Sequence, residues 1–420
     1  MIDPKAIRDR HGEVRRMLKA RGSAFDLDAL LEANTRRLEL IPQVQDTRAE
    51  RNRTGAAIAA AKKAGGDASG PMAEMEGINS RLAEIETELA GVEEACKRMA
   101  MALPNMIDES VPVGPDASSN VEVRSWGERP AIESPSNHVE IMSARGLADL
   151  PRAAKIAGAR FYILRGQMVR LNQAIIRLAM DRAGEAGYMA VQPPYMINRA
   201  SMEGAVIAED FEDVIYGVEG EDLYLVGTSE HAMAAMHSGE IMEGLKEPVR
   251  YAGCSPCFRK EAGAHGADQK GIFRVRQFEK VEMFAFTRPG DSGAEHERML
   301  GVAESFYREL GIPHRTMLLS SGDMGKVSAK TYDIEAWMAG QGAYREVVSC
   351  SNCLDYQARR LGIRYRPSTD APTEYLHTLN STLAATTRVM VAILEDMQEK
   401  DGSVAIPRAL QGYMGGATHI

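Results

Sequence analysis

The apolar residues Met75, Ile78, Leu82, Ile85, Leu89, Val92, Cys96, Met99 and Leu103 recur at alternating steps of three and four. That rhythm holds one seam on one side of a helix. It predicts a single helix of about 29 residues, roughly 43 Å long. Lys, Arg and Glu fill its other faces. Pro71 suits a first turn, and Pro104 stops the helix. One seam needs a partner. The preceding stretch, Asp28 to Lys63, is helical in composition but less regular. Its expected seam includes Leu31, Leu38, Ile41 and Ile58, and Pro42 is expected to kink the helix or break it near Ile41. Ala64 to Gly70, with three glycines, reads as a turn. The two segments therefore predict an antiparallel helical hairpin, a long arm.

The pattern changes downstream. Residues of about 105 to 150 form a Pro/Gly/Ser-rich connector. Leu164 to Glu185 reads as an amphipathic helix, and Gly187 to Pro194 as a strand ending at proline. Strands and helices then alternate irregularly to Tyr413, with a last helix expected from Thr382 to Glu399. Cys257–Glu261 and Phe273–Glu282 read as two strands joined by the glycine-rich loop Ala262 to Gly271. The expected class is α+β: an N-terminal helical hairpin over 1–110, a connector over 111–160, and over 161–420 an antiparallel sheet flanked by helices.

The 420 residues and their ordinary apolar fraction describe a globular protein of two or three domains. No apolar run reaches the ~18 residues of a membrane span, and Met1 to Lys5 lacks a basic-then-apolar leader. Five cysteines, an odd number, argue against a disulfide framework and for a reducing cytoplasm. Cys254/Cys257 and Cys350/Cys353 have the spacing of zinc pairs. They lie over 90 residues apart in segments read as extended, where positions i and i+3 face opposite ways. Chelation would need a turn, which Pro256 could supply.

A net charge of −9 opposes nucleic-acid binding by the whole surface but not by a local strip. Arg48, Arg51, Arg53, Lys62 and Lys63 face only Glu50 over their stretch of the arm. A dimerising coiled coil and a rod for a phosphate backbone both fit the hairpin. The basic residues favour the rod.

Candidate chemistry concentrates in Cys257–Glu282. Arg259 and Arg274 can grip phosphate with a planar fork. Phe278 can stack on a purine. Glu261 and Glu282 can hold an amino or ammonium group. The order Arg-x-Glu, loop, Arg-x-x-x-Phe resembles motif 2 of the class II aminoacyl-tRNA synthetases. Glu261-Ala262-Gly263 before the loop and Gln277-Phe278-Glu279-Lys280-Val281-Glu282 after it resemble the seryl-tRNA synthetase version. The opening Met1-Ile2-Asp3-Pro4, the run Ala49 to Asn52, and Leu103-Pro104-Asn105-Met106 through Gly114 resemble that family's tRNA-binding arm and its exit. The helix, strand and Pro194 resemble motif 1, which implies a homodimer interface. Asn380 to Arg388 resembles motif 3, with Thr386-Thr387 before Arg388 closer to archaeal and eukaryotic members.

The resemblance implies a serine–tRNA ligase using ATP and Mg²⁺, with L-serine and tRNA(Ser) as substrates and tRNA(Sec) left open as a second acceptor. It assigns Thr228, Ser229 and Glu230 to a serine loop, with Glu282, Asn380 and Thr382 reading the amino and hydroxyl groups. Arg259 would bridge the serine carboxylate and the α-phosphate, Glu261 would hold the adenine amino group, Phe278 would stack on adenine, and Lys260 and Val275 would add contacts. Glu346 and Ser349 would hold Mg²⁺ on the phosphates, with Val347 and Val348 between them, and Arg388 would reach the γ-phosphate. Ala267 and Arg276 stand where relatives often carry Arg and His. Two rivals are a paralogue loading a non-tRNA acceptor and a non-catalytic RNA-binding relative. The arm opposes the first. Arg259, Glu346, Ser349 and Arg388 oppose the second.

Overall fold

The computed structural model describes residues 1–207, 214–261 and 270–420. The chain forms two compact units. One holds Asp3–Leu18 and Ser23–Leu103; the other holds Met1–Ile2, Lys19–Gly22 and Pro104–Ile420.

The first unit is dominated by two helices, α1 (Leu27–Lys63) and α2 (Ser69–Ala102). Asp26 caps α1, its carboxylate accepting from the Ala29 amide at 3.0 Å. None of the nine seam positions is exposed, and Ile78, Leu82 and Leu103 are buried. Arg36–Glu88 at 2.7 Å, Arg48–Glu86 at 2.7 Å and Arg81–Glu50 at 2.5 Å tie the two helices in antiparallel register.

For α1, the expected break at Pro42 and the expected seam place of Leu38 are corrected. The helix runs through Pro42 without a break. Pro42 faces solvent, while Leu40 and Val44 beside it are buried. Seam burial on both sides offsets the roughly 3 kcal/mol that an interior proline costs. The seam itself is Leu27, Leu30, Leu40, Val44, Thr47 and Thr54, with Leu31, Ile41 and Ile58 partly buried. Leu38 points outward and is 43 % exposed. Of the four expected seam positions only Leu38 falls outside the buried side. Glu50 is also engaged by Arg81 and Arg48 by Glu86, which leaves Arg51, Arg53, Lys62 and Lys63 exposed.

The second unit is built on an eight-stranded sheet. In chain order its strands are β1 (Val121–Trp126), β2 (Met189–Val191), β3 (Val249–Phe258), β4 (Gln277–Thr287), β5 (His314–Leu318), β6 (Lys330–Met338), β7 (Ala343–Asn352) and β8 (His377–Ala385). The order across the sheet is β1-β5-β6-β7-β8-β4-β3-β2. All neighbours are antiparallel except β2 and β3.

Alternation along each strand sends one set of side chains to each face. Val281, Met283 and Ala285 of β4, Val348 and Cys350 of β7, and Leu379 and Leu383 of β8 join a core with the helices α3 (Gln167–Glu185), α5 (Ser292–Glu309) and α6 (Thr386–Asp396). The opposite face carries polar residues and the short helix α4 (Ser229–Ala235). The helix expected from Thr382 to Glu399 spans Thr386–Asp396, and a short helix, Arg408–Gln411, follows it. Thr382 lies on β8 opposite Glu282 of β4. β2 is a sheet edge, and Met189 there is 65 % exposed, with Tyr195 and Met196 exposed just beyond.

Candidate active site

The polar face of the central strands encloses a cavity of about 460 Å³. Each strand contributes by its period of two: Phe278, Lys280 and Glu282 from β4, Asn380 and Thr382 from β8, Ser349 and Ser351 from β7, Thr331 and Asp333 from β6. A bulge in β7 between Glu346 and Val348 lets both Glu346 and Val347 reach the cavity. A second bulge, after Thr382 on β8, precedes α6 and Arg388.

At one end, Thr228 caps α4 by accepting the Glu230 amide at 3.2 Å. The Glu230 Oε1 accepts from Gln357 Nε2 at 3.0 Å and from Asn380 Nδ2 at 3.1 Å. Gln357 is fully buried, and Thr378 donates to its Oε1 at 2.7 Å. The Gln357 amide is thereby oriented to donate to Glu230. Desolvation, with the Glu282 charge beside it, pushes the Glu230 carboxyl up to about 7. Lys280 and Glu282 form a buried ion pair. The Thr382 hydroxyl donates to Glu282 Oε2 at 3.5 Å and accepts from Lys280 Nζ at 3.4 Å. His231, packed beneath, is held neutral: burial lowers it to about 3, and its Nδ1 accepts the Gly227 amide at 3.3 Å.

At the other end, Arg259 Nε donates to Gly227 O at 3.2 Å, and the guanidinium lies 5.3 Å from the centre of the Phe278 ring. Arg388 pairs with Glu346 at 2.7 Å and donates to its carbonyl at 3.0 Å. Desolvation pushes the Glu346 carboxyl up, and Arg388 more than offsets it, holding it below the usual range. Asp333 sits opposite Ser349 on the neighbouring strand. Burial and the Glu346 charge raise its carboxyl well above the usual range. Among the described residues its Oδ1 has no hydrogen-bond partner.

Eleven of the expected site residues thus meet in one cavity: Thr228, Glu230, Arg259, Phe278, Glu282, Glu346, Val347, Ser349, Asn380, Thr382 and Arg388. Others lie outside its lining. Ser229 is fully buried and donates to Gly253 O at 3.1 Å. Val275 and Val348 belong to the apolar core. Glu261, at φ +51°, pairs with Arg274 at 3.1 Å. The Lys260 amide donates to Val214 O at 3.0 Å. The Arg276 carbonyl accepts the Arg259 amide at 2.9 Å. Ala267 lies outside the described residues.

Sequence reasoning missed Lys280, Asp333 and Gln357. Lys280 shares the alternation of Phe278 and Glu282, which was a usable signal. Gln357 sits in the run Asp355 to Arg360, which also resembles the family, but its partner Glu230 lies 127 residues away in the chain and no role followed from the run alone. The four described cysteines of the spaced pairs are free thiols; Cys257, Cys350 and Cys353 are buried.

A sheet with this strand order, an arginine-bearing β3–β4 hairpin and an arginine on α6, directly after β8, defines a class II tRNA synthetase core. The class II core domain shared by the G, H, P, S and T enzymes matches residues 214–397, and the seryl-tRNA synthetase N-terminal domain matches residues 1–107. The serine–tRNA ligase of Nitrosopumilus maritimus is 59 % identical over 421 residues, covering 100 % of both chains. The crystal structure of seryl-tRNA synthetase from Pyrococcus horikoshii complexed with ATP superposes with a TM-score of 0.94 at 44 % identity, covering 100 % of this chain and 99 % of that one. The cytoplasmic serine–tRNA ligase of Naegleria fowleri in complex with AMP gives 0.87 at 31 % identity, covering 100 % and 98 %. The chain belongs to the seryl-tRNA synthetase family.

Proposed function

We propose that this protein activates L-serine with ATP, releasing pyrophosphate, and transfers the serine to the 3′ end of tRNA(Ser). The carrying observation is the cavity itself. One end offers paired carboxylates and a threonine hydroxyl to a small amino acid. The other offers two arginines and an aromatic ring to a nucleotide.

Glu230 and Glu282 hold the serine ammonium and hydroxyl, and Thr382 contacts the same hydroxyl. Arg259 lies between the serine carboxylate and the α-phosphate and offsets their repulsion. It stabilises the charge that builds as a carboxylate oxygen bonds to the α-phosphorus and the bond to the leaving pyrophosphate breaks. Phe278 stacks on the adenine, and Glu261 takes its amino group. Arg388 binds the γ-phosphate. In the second step the terminal ribose hydroxyl attacks the seryl carbonyl and AMP leaves.

A hard divalent cation fits beside Arg388. Glu346 and Ser349 are two oxygen ligands, and the Glu346 side chain keeps 45 % of its surface open to water. Next to them lies the unpartnered Asp333 oxygen. Few protein ligands plus phosphate oxygens and water are the usual magnesium arrangement. Mg²⁺ would supply charge neutralisation on the phosphates.

Arg51, Arg53, Lys62 and Lys63 are exposed cations suited to an RNA backbone. Arg48 contributes less, being tied to Glu86. The exposed apolar edge at Met189, Tyr195 and Met196, next to Pro194, fits a homodimer interface. No helix among the described residues is long and apolar enough to cross a membrane, and cytoplasmic translation is the setting this reaction implies. The test is charging of tRNA with labelled serine. Serine attached to tRNA(Ser) in an ATP-dependent way supports the reading. ATP-dependent transfer to another acceptor, with none to tRNA, replaces it.

A further inference from the structure

The wall of the cavity from Asp323 to Ser328 is held from behind by Arg21, which no motif singles out, and by Asn105, which lies in the arm-exit run Leu103 to Met106 but carries no assigned role there. Arg21 Nη1 donates to Met324 O at 3.5 Å and to Gly325 O at 3.3 Å, and Nη2 donates to Ser328 O at 2.5 Å. The Asn105 amide donates to Lys326 O at 2.8 Å, and its Nδ2 to Val327 O at 2.9 Å. Five consecutive carbonyls, 324 to 328, are thus turned toward one guanidinium and one asparagine. The two are themselves linked, Arg21 Nε donating to Asn105 O at 3.0 Å. Asn105 is buried, and its Oδ1 accepts the Met106 amide at 2.8 Å, which fixes the side-chain amide with both Nδ2 protons inward. The second of those protons goes to Cys353 O at 2.8 Å.

The other side of this loop is functional. Gly325, Val327, Ser328 and Cys353 line the cavity. Cys353 Sγ accepts from Asn380 Nδ2 at 3.6 Å, and that same amide holds Glu230. Through Cys353 and Asn380 the Val327–Ser328 part of the wall reaches the amino-acid end. A row of carbonyls facing inward without donors must find water instead. The loop then moves and the pocket widens.

We propose that Arg21 and Asn105 are positioning residues that set the size of the amino-acid end, and with it discrimination against amino acids larger than serine. This rests on the serine-pocket reading above. Arginine suits the task because its rigid fork spans several acceptors, which lysine cannot reproduce.

The test is pyrophosphate exchange by Arg21→Lys and Asn105→Ala in the full chain, with folding checked by circular dichroism. The expected result is a serine KM raised about tenfold, an ATP KM within twofold, and a threonine-to-serine kcat/KM ratio raised about tenfold. A purely structural role lowers apparent kcat through the folded fraction and leaves both KM and the ratio alone. Should Arg21→Lys not fold, Asn105→Ala, which leaves the guanidinium on three carbonyls, carries the test. Folded variants with serine KM and ratio within twofold of the parent overturn the proposal. If the parent activates an amino acid other than serine, the functional reading fails, and the variants are read on the KM for that amino acid.

Discussion

If Glu230 holds the serine ammonium as proposed, serine binding should depend on pH in a window where free serine itself does not change. The Glu230 carboxyl is raised to about 7 in the unliganded protein, first by desolvation and then by Glu282. An ammonium ligand needs the charged form. As pH falls through about 7 the free site takes up a proton that binding must expel. Serine KM should therefore rise by about tenfold per unit below pH 7 and level off above it. The informative perturbation is Glu230→Gln. Oε1 of residue 230 must still accept from Gln357 and Asn380, so the new amide nitrogen turns its protons toward the ligand ammonium. Donor then meets donor. The loss should lie at the upper end of the roughly 1.5–3 kcal/mol carried by a charged hydrogen bond, or about 100-fold in serine KM. The assay is serine-dependent pyrophosphate exchange at saturating ATP between pH 5.5 and 8. The reasoning is refuted if the parent profile is flat, if the variant keeps its KM within twofold, or if the variant shows the parent's slope.

Other consequences follow from single contacts. Thr382→Ala removes a hydroxyl shared with Glu282 and Lys280; serine KM should rise and the serine/alanine kcat/KM gap narrow, whereas an unchanged ratio removes Thr382 from the site. Neutralising Arg51, Arg53, Lys62 and Lys63 together should weaken tRNA binding and flatten its salt dependence while leaving pyrophosphate exchange within several-fold; equal salt slopes contradict that role. Leu40→Ala should lower the stability of the helical hairpin by about 2–5 kcal/mol and Leu38→Ala by less than about 0.5 kcal/mol, read by thermal unfolding. Equal effects would place the seam elsewhere.

The parts of the molecule legible from sequence were those whose signal is local. The α2 seam is a repeat within one helix, and the β3–β4 hairpin carries Arg259 just after β3 and Phe278 and Glu282 at alternating positions of β4. Pro42 misled because a local rule, the missing amide, was weighed against burial of Leu40 and Val44 that depends on α2. Thr382 misled because Leu-Ala-Ala-Thr-Thr reads as helix, while pairing with Glu282 from a strand 100 residues away makes it β. Lys280 shares the alternation of Phe278 and Glu282, but its contact with Thr382, 102 residues away, comes only with the fold. Gln357, Arg21 and Asn105 meet partners that only the fold brings to them, so even where the surrounding run resembles the family, as at Asn105, no contact could be read from it.

The central claim is that the cavity holds serine and ATP together. Pyrophosphate exchange with each of the twenty amino acids, ATP and Mg²⁺, without tRNA, tests it most directly. The account predicts exchange with serine well above every other amino acid, and loss of that exchange in Arg259→Ala. Exchange driven best by another amino acid, or serine exchange that survives Arg259→Ala undiminished, would contradict it.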